Sequence, residues 1–320
     1  MIIPIFLLII GLLILILGAE ALVRGASSLA KKLGISSLVI GLTVVAFGTS
    51  MPEMVVSLYS AWVGNTDIAI GNIVGSNIAN LLLILGVSAI IFPLTVKSTT
   101  VWKEIPFALL AIILIFTMGN DVWLDKVDFN ALTRTDGLSL LSLFVIFLVY
   151  TYGLGRQQND DEAEEPVKMY PGAISALFCL VGIGALTGGG KLVVDNAVAL
   201  AKIWGLSDSL IGLTIVAIGT SLPELATSVV AAIRRQSDIV VGNVIGSNIF
   251  NVFWILGVSS VVAPLPFTST INIDVLVAIV ATAAVFLALF VGSRNRFDRW
   301  QGVLFVGGYV VYLVYLIQRG

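Results

Sequence analysis

Hydrophobic positions along this chain gather into ten runs separated by short polar breaks. They cover 3–22, 36–63, 68–92, 105–118 and 138–152 in the first half, and 173–190, 209–233, 239–262, 273–291 and 302–317 in the second. Measured against the roughly 20 apolar residues that carry a helix across a bilayer, the runs read as transmembrane helices. The pattern predicts an all-α polytopic membrane protein with ten spans. Between the fifth and sixth runs lies an acidic polar stretch at 157–166, which reads as a solvated linker. The expected organisation is a first unit at 1–155, a linker at 156–170 and a second unit at 171–320.

Composition supports the membrane assignment. Hydrophobic residues make up 58% and charged residues 11%, with a mean hydropathy of +1.07, whereas a soluble domain carries about a quarter charged residues. A net charge of −2 points to neither nucleic acid nor a strongly charged protein partner. The single cysteine, Cys179, excludes an internal disulfide and reads as a packing residue. The first run lacks the basic flank of a cleaved signal peptide and is expected to remain as a span.

The two halves repeat one another. Residues 41–58 and 212–229 share eleven of eighteen positions, centred on Gly-Thr-Ser-x-Pro-Glu. The same offset of 171 residues aligns Gly71-Asn-Ile-Val-Gly-Ser-Asn-Ile-Ala-Asn80 with Gly242-Asn-Val-Ile-Gly-Ser-Asn-Ile-Phe-Asn251, and Pro93 with Pro264. Because each half holds an odd number of spans, the second enters the membrane from the opposite side. This predicts a 5+5 inverted-topology repeat of the kind secondary transporters use. Twelve Lys and Arg residues fall in loops on one side and five on the other, which puts the first group and the acidic linker in the cytoplasm and both termini outside. Glu20 with Arg24, and Lys191 with Asp195, are spaced four apart and read as ion pairs along a helix face.

Each Pro-Glu motif places a helix breaker and a carboxylate inside an apolar run. Pro52 lacks an N–H and its ring crowds the carbonyl of Gly48, so a break is expected there and nearby carbonyls become available as ligands. Thr49, Ser50 and Glu53 then lie on neighbouring parts of a helical face, as do Thr220, Ser221 and Glu224. Asn72, Ser76 and Asn80 form a stripe in the following span, matched by Asn243, Ser247 and Asn251. Breaks in helices 2, 3, 7 and 8 are expected to meet at the midplane as an all-oxygen site. Intramembrane carboxylates are rare and are retained for function. Without histidine, and with oxygen donors only, the site suits hard cations: Ca²⁺, which takes about 6–8 oxygens, and Na⁺. No cofactor is expected. Paired carboxylates also serve glycoside-cleaving enzymes, but no aromatic-lined cleft accompanies Glu53 or Glu224 in the sequence, which argues against an enzyme.

At these residues the sequence resembles the sodium/calcium exchanger family of the cation/calcium antiporter superfamily. The resemblance rests on 41–53 and 71–80, on their counterparts 212–224 and 242–251, and extends over all ten spans. It implies that Glu53 and Glu224 are central ligands shared by Ca²⁺ and Na⁺. Ser50, Ser221, Thr49, Thr220, Ser76 and Ser247 would add hydroxyl or carbonyl oxygens, and Ala46 and Ala217 their carbonyls for sodium. Asn80 and Asn251 complete the set. The position of Asn251 is often aspartate in the family, including the branch that moves K⁺, so the amide here disfavours K⁺ cotransport. Proton-coupled relatives usually carry a further glutamate in place of the Gly-Ser-Asn run. Its absence favours Na⁺-for-Ca²⁺ exchange over proton-coupled Ca²⁺ antiport. The first and sixth spans, rich in glycine, are the expected moving gate, and no obligate protein partner is expected.

Overall fold

The computed structural model describes residues 2–124, 126, 128–157, 168–203 and 217–319. The chain is helical almost throughout. α1 covers Ile2–Leu33; α2, Ser37–Thr49, and α3, Met51–Trp62, form a bent pair; α4 covers Thr66–Ile91 and α5 Thr100–Met118. After α6 (Arg134–Gln157) come α7 (Gly172–Ile203), α8 (Ala217–Thr220), α9 (Leu222–Ile233), α10 (Ser237–Val262), α11 (Ser269–Ala288) and α12 (Arg299–Arg319). Among the described residues eight helices are long and apolar enough to cross a membrane, and the α2–α3 pair brings the number to nine. The start of the seventh expected span, with most of the linker, lies outside the described residues.

Burial separates a centre from a periphery. Of the most apolar stretch of each helix, 94% is buried in α10 and 78% in α4, against 28% in α1 and 33% in α7. α4 and α10 are therefore surrounded by protein. α1 and α7 run antiparallel and pack on each other through glycines seven residues apart, Gly11, Gly18 and Gly25 facing Gly189, Gly182 and the Ser175 backbone. A Cβ built on Gly182 would lie 2.7 Å from the backbone nitrogen of Leu22, so only glycine permits this approach.

One expectation requires correction. Helices 3 and 8 are not broken: neither 71–80 nor 242–251 contains proline, every N–H can continue the ladder, and each span instead relaxes into a π-helical segment, Ala79–Ile84 and Phe250–Leu256. The first and sixth helices run on past the apolar runs through the two expected ion pairs, Glu20–Arg24 at 2.5 Å and Lys191–Asp195 at 2.8 Å. The repeat register also changes. Gly86 packs against Gly302 and Gly257 against Gly137, so the offset of 171 between 86 and 257 has become 165 between 137 and 302. The connection before α6 is longer than the one before α12.

The connections carry two short antiparallel ribbons that the all-helical pattern did not suggest. β1 (Leu94–Thr95) pairs with β4 (Arg296–Phe297), and β2 (Ala131–Leu132) with β3 (Leu265–Pro266). Each ties a connection of one half to a connection of the other.

Candidate functional site

The break between α2 and α3 is made by one residue. Ser50 leaves the helical region at φ −80°, ψ 8°, its N–H donating to the Ala46 carbonyl at 3.0 Å. Pro52 follows in the first turn of α3, where a missing N–H costs nothing, and the two helices meet at 49°. Ser221 repeats this at φ −86°, ψ 7°, followed by Pro223 at the start of α9. Each restart puts a carboxylate, Glu53 or Glu224, in the first turn of a helix, where the positive end of the dipole favours its charge. Both carboxylates are enclosed, with 0% and 1% of their surface exposed.

The hydroxyls that reach each carboxylate come largely from the other half. Ser50 Oγ donates to Glu224 Oε1 at 3.0 Å, and Ser221 Oγ lies 3.1 Å from Glu53 Oε1. Ser76 Oγ is 3.2 Å from the same Glu53 oxygen and 3.1 Å from Ser221 Oγ; the Ser247 side chain adjoins Glu224 in the matching position. Thr49 Oγ1 is 3.0 Å from Asn243 Oδ1, and Thr220 Oγ1 is 3.3 Å from Asn72 Oδ1. The amides are fixed in turn, Asn72 donating to Ser57 Oγ and Asn243 to Ser228 Oγ, both at 3.0 Å.

A second tier lies where α4 crosses α10. Asn80 Nδ2 donates to Asn248 Oδ1 and Asn251 Nδ2 to Asn77 Oδ1, each at 2.9 Å. Asn77 and Asn248 also donate to one another's backbone carbonyls, at 3.3 and 3.4 Å. Sequence reasoning passed over Asn77 and Asn248, although both repeats carry them in the Gly-Ser-Asn run. They set the orientation of Asn80 and Asn251.

Among the described residues four buried carbonyl or carboxylate oxygens in this region have no hydrogen-bond donor, Glu53 Oε2, Glu224 Oε2, Asn80 Oδ1 and Asn251 Oδ1, and the Ser247 hydroxyl is likewise without a partner. An unsatisfied buried acceptor costs about 1–3 kcal/mol, more when charged. Four acceptors without donors are the complement of a cation. Of the sequence-selected residues, Glu53, Glu224, Ser50, Ser221, Thr49, Thr220, Ser76, Ser247, Asn80 and Asn251 thus lie in one hydrogen-bonded region around the two breaks. The Ala46 carbonyl already accepts the Ser50 N–H, with Thr49 Oγ1 at 3.3 Å. In this arrangement it already has protein contacts to both of its lone pairs. Ala217 opens α8, and its side chain lies outside the described residues.

The sodium/calcium exchanger protein family matches the chain over residues 3–153 and 174–318, taking in both Pro-Glu motifs. The chain belongs to this family. Relatives include a putative antiporter, CaxA, of Alkalimonas amylolytica, 38% identical over 88% of this chain and 89% of its own length. The sodium/calcium exchanger MaX1 of Methanosarcina acetivorans is 32% identical over 90% of this chain and 91% of its own. Among solved structures, the sodium-calcium exchanger NCX_Mj soaked with Na⁺ and Sr²⁺ superposes with a TM-score of 0.84 at 34% identity, covering 98% of both chains. Membership in the exchanger family makes the chain a multi-pass membrane transporter of the cation antiport class and not a catalytic enzyme. An enclosed set of oxygens around two carboxylates is suited to such cargo.

Proposed function

We propose that the protein exchanges Na⁺ for Ca²⁺ across the membrane by alternating access, with Glu53 and Glu224 as central ligands shared by the two ions. One observation carries this reading: two enclosed carboxylates, each held by hydroxyls on one oxygen and left without a donor on the other. Two negative charges neutralise one Ca²⁺ or two Na⁺. Ser50, Ser221, Ser76, Ser247, Thr49 and Thr220 supply further oxygens, Asn80 and Asn251 their unpartnered Oδ1 atoms, and Ala46 and Ala217 backbone carbonyls for sodium. Amide side chains coordinate cations and do not titrate, which favours sodium coupling over protons and leaves no third charge for K⁺.

The chain is read as ten spans in two inverted halves. Hydrogen bonds recurring at an offset of 171, such as Asn72 to Ser57 and Asn243 to Ser228, support it. The grouping of residues by side is supported by contacts between a connection and the start of a helix in the other half: Lys97 with Asp238 at 2.9 Å on the side assigned to the cytoplasm, and Asn120 with Asn272 at 2.7 Å on the opposite side, where both termini are placed. Exchange without leak follows from charge. Moving the empty site would carry two uncompensated carboxylates through a low-dielectric interior, at about 2.5 kcal/mol or more each, so loaded states cross and empty ones do not. α1 and α7, packed on each other along a glycine seam at the periphery, form the moving gate.

The test is radiolabelled calcium uptake into proteoliposomes driven by an outward Na⁺ gradient or by a pH gradient, with Glu53→Gln and Glu224→Gln as controls. Sodium-driven uptake lost in either variant is the expected result. Uptake driven by the pH gradient alone transfers the coupling to protons. No uptake under either gradient in folded protein removes the reading.

A further inference from the structure

Away from the central site, a cavity of about 290 Å³ opens between α5 and α6, lined by Lys103, Glu104, Phe107, Ile146, Phe147 and Tyr150. It lies near the start of α5 and the end of α6, at the level of the cytoplasmic headgroups in the topology given above. Glu104 is fully buried. Its Oε1 accepts from the Tyr150 hydroxyl, while Oε2 has no donor among the described residues. Lys103 Nζ sits 5.7 Å from the centroid of the Tyr150 ring at the mouth. Phe107 and Phe147 stack at 5.8 Å to form an aromatic wall, and the exposed Ile146 continues the apolar surface outwards.

This arrangement has an order: a carboxylate lacking a hydrogen-bond donor at the floor, aromatic faces beside it, a lysine at the rim and an apolar path into the lipid. Aromatic faces and a carboxylate together attract an organic ammonium. The unmet need of Oε2 is for an N–H, which a primary ammonium offers and a trimethylammonium does not. A phosphate one short linker from that ammonium would meet Lys103, and acyl chains would follow Ile146 and Phe147. We propose that this groove is a binding site for the headgroup of a primary-amine phospholipid, phosphatidylethanolamine in class, with its ammonium on Glu104 and its phosphate on Lys103.

Occupancy would bear on the transport site through a short path. Phe107 packs edge-on against Phe253 at 5.1 Å, and Phe253 belongs to the π-helical segment Phe250–Leu256 that carries Asn251.

The experiment reads binding independently of transport. Purified protein in detergent is incubated with dioleoyl phosphatidylethanolamine, the phosphatidylcholine or the phosphatidylglycerol of the same chains, and bound lipid is counted by native mass spectrometry. Retention of the ethanolamine lipid over the choline lipid by about tenfold is expected, the size of one hydrogen bond to a charged group. Glu104→Gln should lose the preference, and Ile146→Trp, which fills the groove from the lipid side without touching the carboxylate, should lose retention. Equal retention of the ethanolamine and choline lipids, preference for the glycerol lipid, or an Ile146→Trp variant that binds as the parent does would each overturn the proposal. So would displacement of the lipid by soluble glycerophosphoethanolamine at equal concentration, which would make the ligand a free headgroup.

Discussion

Adding a single methyl to the α1–α7 seam tests whether these helices are held at backbone contact. In Gly182→Ala the new Cβ would lie 2.7 Å from Leu22 N and 2.9 Å from the Gly18 carbonyl oxygen, both rigid backbone atoms. Ordinary contact begins near 3.4 Å, so the helices must part by about 0.7 Å along the seam, and overpacking of this kind costs about 1–3 kcal/mol. The same helix supplies its own control. Gly184 is exposed with nothing within 4 Å of a built Cβ, so Gly184→Ala keeps only the gain in helix propensity, about 1 kcal/mol. Both variants share that gain, and the difference between them isolates the seam. Thermal inactivation in detergent, followed by the monodisperse fraction on size exclusion, should rank Gly184→Ala at or above the parent and Gly182→Ala below Gly184→Ala. Sodium-driven uptake should fall in Gly182→Ala and persist in Gly184→Ala. Equal stability and equal transport in the two variants would refute the close approach and the gate built on it.

Three further substitutions probe the central region. Ser50→Ala and Ser221→Ala each remove one hydroxyl from the carboxylate of the opposite half; they should weaken apparent Ca²⁺ affinity alike, by about tenfold or more, read from the concentration dependence of uptake. A large effect in one and none in the other would contradict the two-fold equivalence. Asn251→Asp introduces a third carboxylate but deletes the amide that donates to Asn77 Oδ1; thermal stability should fall by about 1–3 kcal/mol in ion-free buffer and recover on addition of Ca²⁺, and a variant indifferent to Ca²⁺ would place residue 251 outside the site.

The candidate site was legible because its residues violate their surroundings. A proline and a carboxylate in an apolar run cannot be packing residues by default, and their recurrence at one offset pointed to Glu53 and Glu224 together. Serine and threonine beside them were reached through helical spacing alone. The amides were harder. Asn77 and Asn248 lie one position off the stripe formed by Asn72, Ser76 and Asn80, and their partners are set by the crossing of α4 and α10, a tertiary fact with no trace in periodicity. The continuity of those helices was equally hidden, since a π-helical turn changes the hydrogen-bond partner without needing a breaker residue. The apolar runs marked only part of α1 and α7, while the spacing of Glu20 with Arg24 and of Lys191 with Asp195 signalled that each helix continues.

The reciprocity of the hydrogen bonds also bears on how access could alternate. Glu53 belongs to one half and Ser221 to the other; Glu224 and Ser50 are related in the opposite sense. If one half rocked against the other, both bonds would open in the same step, at about 1.5–3 kcal/mol each, and Asn80–Asn248 and Asn251–Asn77 would open with them. That cost falls on the groups that have to hold the ion during the step. α1 and α7 make none of these bonds among the described residues, yet they too come one from each half and lie antiparallel. Their glycine seam maps onto itself when the halves are exchanged, since Gly11 opposite Gly189 becomes Gly182 opposite Gly18. A pair with that symmetry can move as one body over a core that keeps its bonds, and the two ends of its travel are equivalent. Under the gate proposed above, movement of the pair would expose the site to either side while the cross-half hydrogen bonds stay closed.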